Sequence, residues 1–133
     1  MDIITQGVVG AVAAQVIAPK KETRKWALVG GIAGLVPDLD VLIRSASDPL
    51  LFLEYHRHFT HSLFFVPVGA VVVAWTLAFL FRRTFNFKKI LFPAIIGCAT
   101  HGLLDACTSY GTSLYWPVSS RKVAWNIVSI VDP

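Results

Sequence analysis

Four apolar segments, each with amide or ionisable side chains inside it or at its edge, limit what this chain of 133 residues can fold into. They cover residues 3–18, 26–43, 62–81 and 90–107. With 55% hydrophobic and 15% charged residues, the chain is too apolar for an ordinary soluble domain. We therefore predict an all-α fold, a small membrane bundle of about four apolar helices that forms one domain over residues 1–133.

Two of these segments carry further signals. In the second, Gly30 and Gly34 predict close helix packing, and Pro37 disfavours helix at Val36, so we expect a break at Pro37-Asp38. Non-helical backbone at membrane depth must be covered by protein or line a wet cavity. Residues 62–81 are the clearest transmembrane candidate, because they form a run of twenty residues without charge. Aromatic residues between Tyr110 and Trp125 predict an interfacial loop near the C-terminus.

The basic residues predict the orientation in the membrane. Eight of the twelve Lys and Arg residues lie in two short loops beside apolar runs: Lys20, Lys21, Arg24, Lys25, Arg82, Arg83, Lys88 and Lys89. Such clustering is typical of cytoplasmic loops, so we predict a multi-pass protein of a bacterial inner membrane with both loops in the cytoplasm. Direct nucleic-acid binding is not expected, because the cations form no continuous face.

This orientation brings the unusual polar residues together. If each segment is helical, the rise per residue places Gln6, Asp38 and His101 each about 18–21 Å from the nearest basic loop. His61 lies farther still. All fall toward the outer side of the membrane, where His101 and Asp105 share one helix face by their i, i+4 spacing.

A divalent metal would satisfy these groups together. Taken alone, His101 is explained as a core histidine with a hydrogen-bond partner on another helix. Asp38 and Asp40, taken alone, are explained as helix caps. When they converge at one depth, mixed imidazole and carboxylate ligands favour Zn²⁺, with Mn²⁺ or Fe²⁺ as alternatives. Asp38 and Asp40 are spaced i, i+2 and cannot point the same way, so we expect one to be a ligand and the other to orient a ligand or water.

The order of short motifs resembles the YdjM family over nearly the whole chain. The motifs are Met1-Asp2-x-x-Thr5-Gln6, Pro37-Asp38-Leu39-Asp40, His56-Arg57-x-x-Thr60-His61-Ser62, His101-x-x-x-Asp105, Tyr110-Gly111-Thr112, Trp116-Pro117 and Asp132-Pro133. The resemblance implies a LexA-binding, inner-membrane-associated, metal-dependent hydrolase. It also implies a distant similarity to zinc-dependent phospholipase C and S1/P1 nuclease.

By this resemblance the metal ligands are Asp38 or Asp40, His61, His101 and Asp105, with His56 and Asp132 in or around the site. Many relatives carry histidine where this chain has Gln6 and glycine where it has His58, so His58 receives no family role. Relatives usually continue past Asp132-Pro133, and we expect this chain to be truncated relative to the family.

The sequence thus favours a membrane-bound hydrolase that uses a metal-activated water on a phosphoester, such as a phospholipid. Asp38, Asp40 and Arg57 are the expected catalytic residues, with Arg57 as a phosphate clamp. Thr60 and Ser62 would orient a ligand. Two alternatives stay open. One is metal or ion handling, and the other is a non-catalytic interaction protein with a LexA-type partner, which the resemblance alone implies.

Overall fold

The computed structural model describes residues 2–42 and 58–128. Four α-helices make up most of this part: α1 (Ile3–Val16), α2 (Thr23–Leu35), α3 (Phe65–Leu80) and α4 (Phe87–Ala106). Two 3₁₀ segments, Val36–Leu42 and Phe59–His61, adjoin α2 and α3. No strand forms within these two ranges, so the expectation of an all-α bundle with about four apolar helices is confirmed.

Side-chain caps and Pro37 set the helix boundaries. Asp2 accepts a hydrogen bond from the Thr5 amide at 2.9 Å at the start of α1, and Asn86 accepts one from Lys88 at the start of α4. Helix α2 ends at Leu35 and gives way to the 3₁₀ segment that contains Pro37, which confirms the expected break. The third apolar segment becomes helical only at Phe65, whose amide donates to the Ser62 hydroxyl.

Glycines let three of the helices approach each other closely. A Cβ atom on Gly10 of α1 would lie 2.5 Å from the carbonyl oxygen of Gly30 in α2, and one on Gly34 would lie 2.8 Å from the carbonyl oxygen of Gln6. Gly97 of α4 packs directly on the backbone of Gly30. The expected packing face of Gly30 and Gly34 is therefore present, and it holds α1, α2 and α4 together.

Small and aliphatic side chains form the core between α2, α3 and α4, while large apolar side chains cover much of the outer surface. The core contains Val29, Ala33, Ala70, Val73, Ala74, Leu77, Ile90, Ala94 and Cys98. Exposed side chains include those of Val12, Leu28, Val72, Trp75, Phe79 and Phe92. An exterior of this kind is rare on a soluble monomer and common on a protein in contact with lipid.

Among the described helices, α4 alone has the length and composition to cross a membrane. Its 20 residues extend about 30 Å, close to the thickness of the hydrocarbon core. Helices α1 and α3 are apolar but shorter. The clearest spanning helix therefore lies in the fourth segment and not in residues 62–81, because the Ser62 turn shortens α3 to 16 residues.

The aromatic region after α4 is an irregular loop, as expected from its sequence. Two isolated bridges, Thr108 with Val128 and Thr112 with Val123, are its regular pairings among the described residues. The Trp125 amide donates to the Ala106 carbonyl at 2.7 Å, and the Leu63 amide donates to the Leu114 carbonyl at 2.9 Å. These bonds fix the loop on the end of α4 and beside the start of α3.

The close contact between α2 and α4 generates the first prediction. Replacing Gly97 by alanine forces the two backbones apart, and overpacking of this kind costs about 1–3 kcal/mol. Thermal unfolding in detergent should show a lower midpoint for Gly97→Ala than for the parent. Gly7→Ala is the matched control, because its nearest neighbour is the flexible Leu35 side chain. Equal melting of the two variants would contradict the packing described here.

Candidate metal centre

Four polypeptide segments bring acidic, imidazole and amide side chains to one end of the bundle. Gln6 comes from α1, Asp38 and Asp40 from the 3₁₀ segment after α2, and His61 from the 3₁₀ turn before α3. His101 and Asp105 come from the last two turns of α4. Successive helices alternate in direction, so these residues meet at one end, and the two basic loops meet at the other.

Two imidazole rings form the centre of this cluster. The Nε2 atoms of His61 and His101 lie 2.9 Å apart. Asp38 Oδ1 lies 3.5 Å from His61 Nε2 and 3.4 Å from His101 Nε2. Asp105 Oδ2 lies 3.2 Å and 3.6 Å from the same two atoms. Each of these two carboxylate oxygens thus lies within 3.6 Å of both imidazole nitrogens.

The outer nitrogen of each ring has its own hydrogen-bond partner. His101 Nδ1 lies 2.6 Å from the Gly34 carbonyl oxygen, which only accepts, so we assign the ring proton to Nδ1. His61 Nδ1 lies 2.9 Å from the Thr60 hydroxyl, which in turn donates to Asp40 Oδ2 at 2.9 Å. In their neutral forms the two rings would therefore direct their Nε2 lone pairs toward each other, which is the arrangement found in metal-ligating histidines.

Gln6 contacts the cluster from the opposite side. Its Nε2 donates to Asp105 Oδ1 at 3.0 Å and thereby leaves Asp105 Oδ2 facing the two imidazoles. The amide oxygen of Gln6 is buried and has no hydrogen-bond partner among the described residues. Buried acceptors of this kind usually meet an ordered water or an ion, because desolvation without a partner is costly.

Burial and mutual attraction set the charge of the cluster. The side chains of Asp40, His61 and His101 are fully buried, and that of Asp38 is 18% exposed. Burial by itself raises the pKa of Asp38, but hydrogen bonds with His101 and His61 outweigh it and hold that pKa well below its usual range. Burial lowers the pKa of His61, whereas its contacts with Asp105 and Asp38 raise it, and the net change is upward. The carboxylates therefore favour a cation between them.

The remaining predicted residues fall into two groups. The Thr60 hydroxyl contacts both Asp40 and His61, and its ligand-orienting role stays a prediction. The Ser62 hydroxyl instead donates to the Phe59 carbonyl and caps α3. His56, Arg57 and Asp132 lie outside the described residues. His58 packs against Trp116, with ring centroids 5.5 Å apart.

Two backbone features of the cluster were not found from the sequence. The Gly34 carbonyl orients His101, whereas the sequence predicts only helix packing for Gly34. Gly102 lies against the backbone of His61, where a Cβ atom would come within 2.5 Å of the carbonyl oxygen. Its position next to His101 was the available signal for such a close approach.

A helical bundle with an apolar exterior, a helix of spanning length and a buried His–Asp cluster is typical of a membrane protein with a polar centre. The chain belongs to the YdjM inner membrane protein family, which it matches over residues 1–133. It is also 32% identical over 108 residues to inner membrane protein YbcI of Escherichia coli (strain K12). That match covers 76% of this chain and 60% of YbcI. No solved structure matches the chain, and the similarity to zinc-dependent phospholipase C stays a prediction.

The bonds of Thr60 generate the second prediction. Thr60→Val removes the hydroxyl that joins His61 Nδ1 to Asp40, and leaving a buried carboxylate short of one donor costs about 1–3 kcal/mol. The thermal midpoint in detergent should fall accordingly. Thr100→Val is the matched control, because the Thr100 hydroxyl donates to a carbonyl of its own helix and lies outside the cluster. A loss no larger than that of the control would show that the Thr60 hydroxyl does not support the cluster.

Proposed function

We propose that this protein is a metal-dependent hydrolase of the bacterial inner membrane that acts on a phosphoester. The observation that carries the proposal is the pair of Nε2 atoms 2.9 Å apart, flanked by Asp38 Oδ1 and Asp105 Oδ2. In the neutral tautomers these four atoms are all acceptors, so they repel one another unless a cation lies among them. A protonated imidazole or a metal ion would each supply that cation.

The donor set favours a metal ion. Asp38, His61 and His101 each offer a ligand atom, and all three atoms lie within 4.8 Å of one another. Asp105 Oδ2, 3.2 Å from His61 Nε2, is the further ligand that the sequence predicts, although it lies outside this set of three. Two imidazoles and two carboxylates suit Zn²⁺, with Mn²⁺ or Fe²⁺ as alternatives. When bound there, such an ion supplies Lewis acidity, which activates water near neutral pH and offsets negative charge on a phosphoester.

The surrounding residues have separable tasks in this proposal. Asp40 accepts a hydrogen bond from Thr60, whose hydroxyl contacts His61 Nδ1, and the Gly34 carbonyl accepts one from His101 Nδ1. These bonds fix the tautomer and orientation of both rings. Gln6 orients Asp105 and offers its free amide oxygen to a water. Asp38 is the most exposed of the acidic ligands, so substrate and water would approach on its side. The phosphate clamp proposed for Arg57 rests on the sequence.

The substrate class follows from the proposed position in the membrane. The cluster lies at the end of the bundle opposite the basic loops, which we place in the cytoplasm by their charge. The cluster would then lie near the outer headgroups, within reach of a phospholipid or another amphiphilic phosphoester. A LexA-type partner stays a prediction that depends on the sequence resemblance.

The two aspartates generate the third prediction. Asp38→Asn should abolish metal binding, because Asp38 faces both Nε2 atoms. Asp40→Asn should keep the metal but lower its affinity or the activity by about 10–100-fold, because Asp40 supports a ligand without touching the Nε2 pair. Bound metal would be measured by elemental analysis of detergent-purified protein, and turnover on phosphodiester and phospholipid panels. Asp2→Asn is the matched control, since Asp2 caps α1 and lies outside the cluster.

Each result of this experiment has a defined meaning. Equal loss of metal in Asp38→Asn and Asp40→Asn would show that both carboxylates are ligands and that the division of tasks is wrong. A parent protein that binds no divalent metal after reloading would identify the cluster as a proton-stabilised ion pair. A metal-loaded parent that cleaves nothing on the panels would favour metal handling or scaffolding over hydrolysis.

The orientation is the fourth prediction. Cysteines introduced at Arg83, in a basic loop, and at Ser120, in the aromatic loop, should label from opposite sides of the membrane in a variant lacking Cys98 and Cys107. An impermeant maleimide added to intact spheroplasts should modify position 120 and spare position 83 until the membrane is permeabilised. Labelling of position 83 from outside would reverse the proposed orientation.

A further inference from the structure

The two basic loops meet at the end of the bundle opposite the His–Asp cluster. Lys25 Nζ donates to the Thr84 carbonyl oxygen at 3.2 Å, and Lys89 Nζ forms an ion pair with Glu22 at 3.3 Å. These two contacts tie the turn between α1 and α2 to the connection between α3 and α4. Cations that are separated by more than sixty residues in sequence thereby come to line one cleft.

This basic cleft is defined by four lysines on its rim, Lys20, Lys21, Lys88 and Lys89, and by two aromatic rings, Trp26 and Phe92. The single acidic residue among its lining residues is Glu22, which is already paired with Lys89. Within the described ranges, Lys20, Lys21 and Lys88 form no ion pair. The cleft therefore carries a positive charge that its own residues do not balance.

The helix directions add to this imbalance. Helices α2 and α4 both begin at this end, and the first turns of both contain basic residues and no acidic ones. The N-terminal end of a helix carries partial positive charge, so cations there are disfavoured unless an anion is near. The positive-inside rule accounts for basic residues in these loops, but it does not require that they converge on one cleft.

The two aromatic rings give the cleft an apolar part beside its lysines. Trp26 and Phe92 pack edge to face with centroids 5.7 Å apart, and Phe92 is 54% exposed. Phe92 lies within about a turn of Lys88 and Lys89 on α4, and Trp26 lies in the first turn of α2, five residues after Lys21. An apolar surface directly below a cationic rim matches an amphiphile that carries negative charge at its polar end.

From this arrangement we infer that the basic cleft binds the phosphate of an anionic phospholipid headgroup, with the acyl chains lying along Trp26 and Phe92. Basic pockets between membrane helices recognise such headgroups by charge. A free phosphate would use the rim but not the aromatic surface, so the two rings favour the lipid. The inference is independent of the hydrolase proposal, since the cleft and the His–Asp cluster lie at opposite ends of the bundle.

The test compares lipid binding by two double variants of the full chain. Lys21→Gln with Lys88→Gln removes two charges from the rim, and the matched control, Arg82→Gln with Arg83→Gln, removes two from the same end outside the cleft. Retention of phosphatidylglycerol and of phosphatidylcholine would be measured by native mass spectrometry from detergent, together with the thermal midpoint at increasing lipid concentration. Trp26→Ala tests the contribution of the aromatic surface.

We expect the parent to retain and be stabilised by phosphatidylglycerol in preference to phosphatidylcholine. The rim variant should bind phosphatidylglycerol at least about 10-fold more weakly, because each lysine near an anionic lipid contributes about a 5-fold change in affinity. The control should weaken binding clearly less than the rim variant does, because its two charges lie outside the cleft. Trp26→Ala should weaken lipid binding and leave the affinity for inorganic phosphate as it is in the parent.

Three results would overturn the inference. Equal weakening in the rim variant and the control would show attraction to net charge and no defined site. Equal retention of both lipids by the parent would show that the headgroup phosphate is not recognised by charge. Displacement of the lipid by millimolar glycerol phosphate, with no effect of Trp26→Ala, would identify a soluble phosphate as the ligand.

Discussion

The contact between His61 Nε2 and His101 Nε2 is the constraint on which the rest of this structure depends. Two imidazoles face each other at 2.9 Å with Asp38 and Asp105 beside them, in a setting where water has little access. With the ring protons on Nδ1, these atoms are all acceptors and favour a cation among them. The fold must therefore hold four separate segments rigidly enough to keep these atoms converged, and it must exclude other charges from the same space.

Glycine packing provides that rigidity. The backbones of α1, α2 and α4 approach closely at Gly10, Gly30 and Gly97, so the helices at the cluster have little room to shift. The same close approach brings the Gly34 carbonyl within 2.6 Å of His101 Nδ1. Packing and chemistry are thus coupled in this bundle, because the residue that allows two helices to meet also supplies the acceptor that orients a ring.

The alternation of helix direction separates the molecule into two chemically different ends. One end gathers carboxylates and imidazoles, and the other gathers lysines and arginines around Glu22. Between them lie the apolar core and an apolar exterior suited to lipid. Membership of an inner membrane protein family agrees with this division, since a charge asymmetry across an apolar body is what orients a protein in a bilayer.

The sequence by itself determined the number of helices, the break near Pro37 and the convergence of Asp38, His61 and His101 at one end. Apolar runs, a proline and clustered charges can each be recognised in a short stretch of sequence. The rise per residue of a helix then gives the distance of each polar residue from the basic loops. Only the tertiary structure decided that Asp38 faces the two Nε2 atoms while Asp40 lies behind His61.

That distinction depends on rotation about a 3₁₀ turn, where residues two apart point in different directions, and on which neighbour each direction meets. The i, i+2 spacing predicted that the two carboxylates point in different directions. It could not predict which neighbours each carboxylate meets, and so it could not show which of them faces the imidazoles. The contact of the Gly34 carbonyl with His101 could not be predicted for a similar reason. Every residue has a backbone carbonyl, so the residue type does not show which one accepts a hydrogen bond. Residue chemistry therefore predicted which side chains meet, and the packing of four segments decided which atoms face each other.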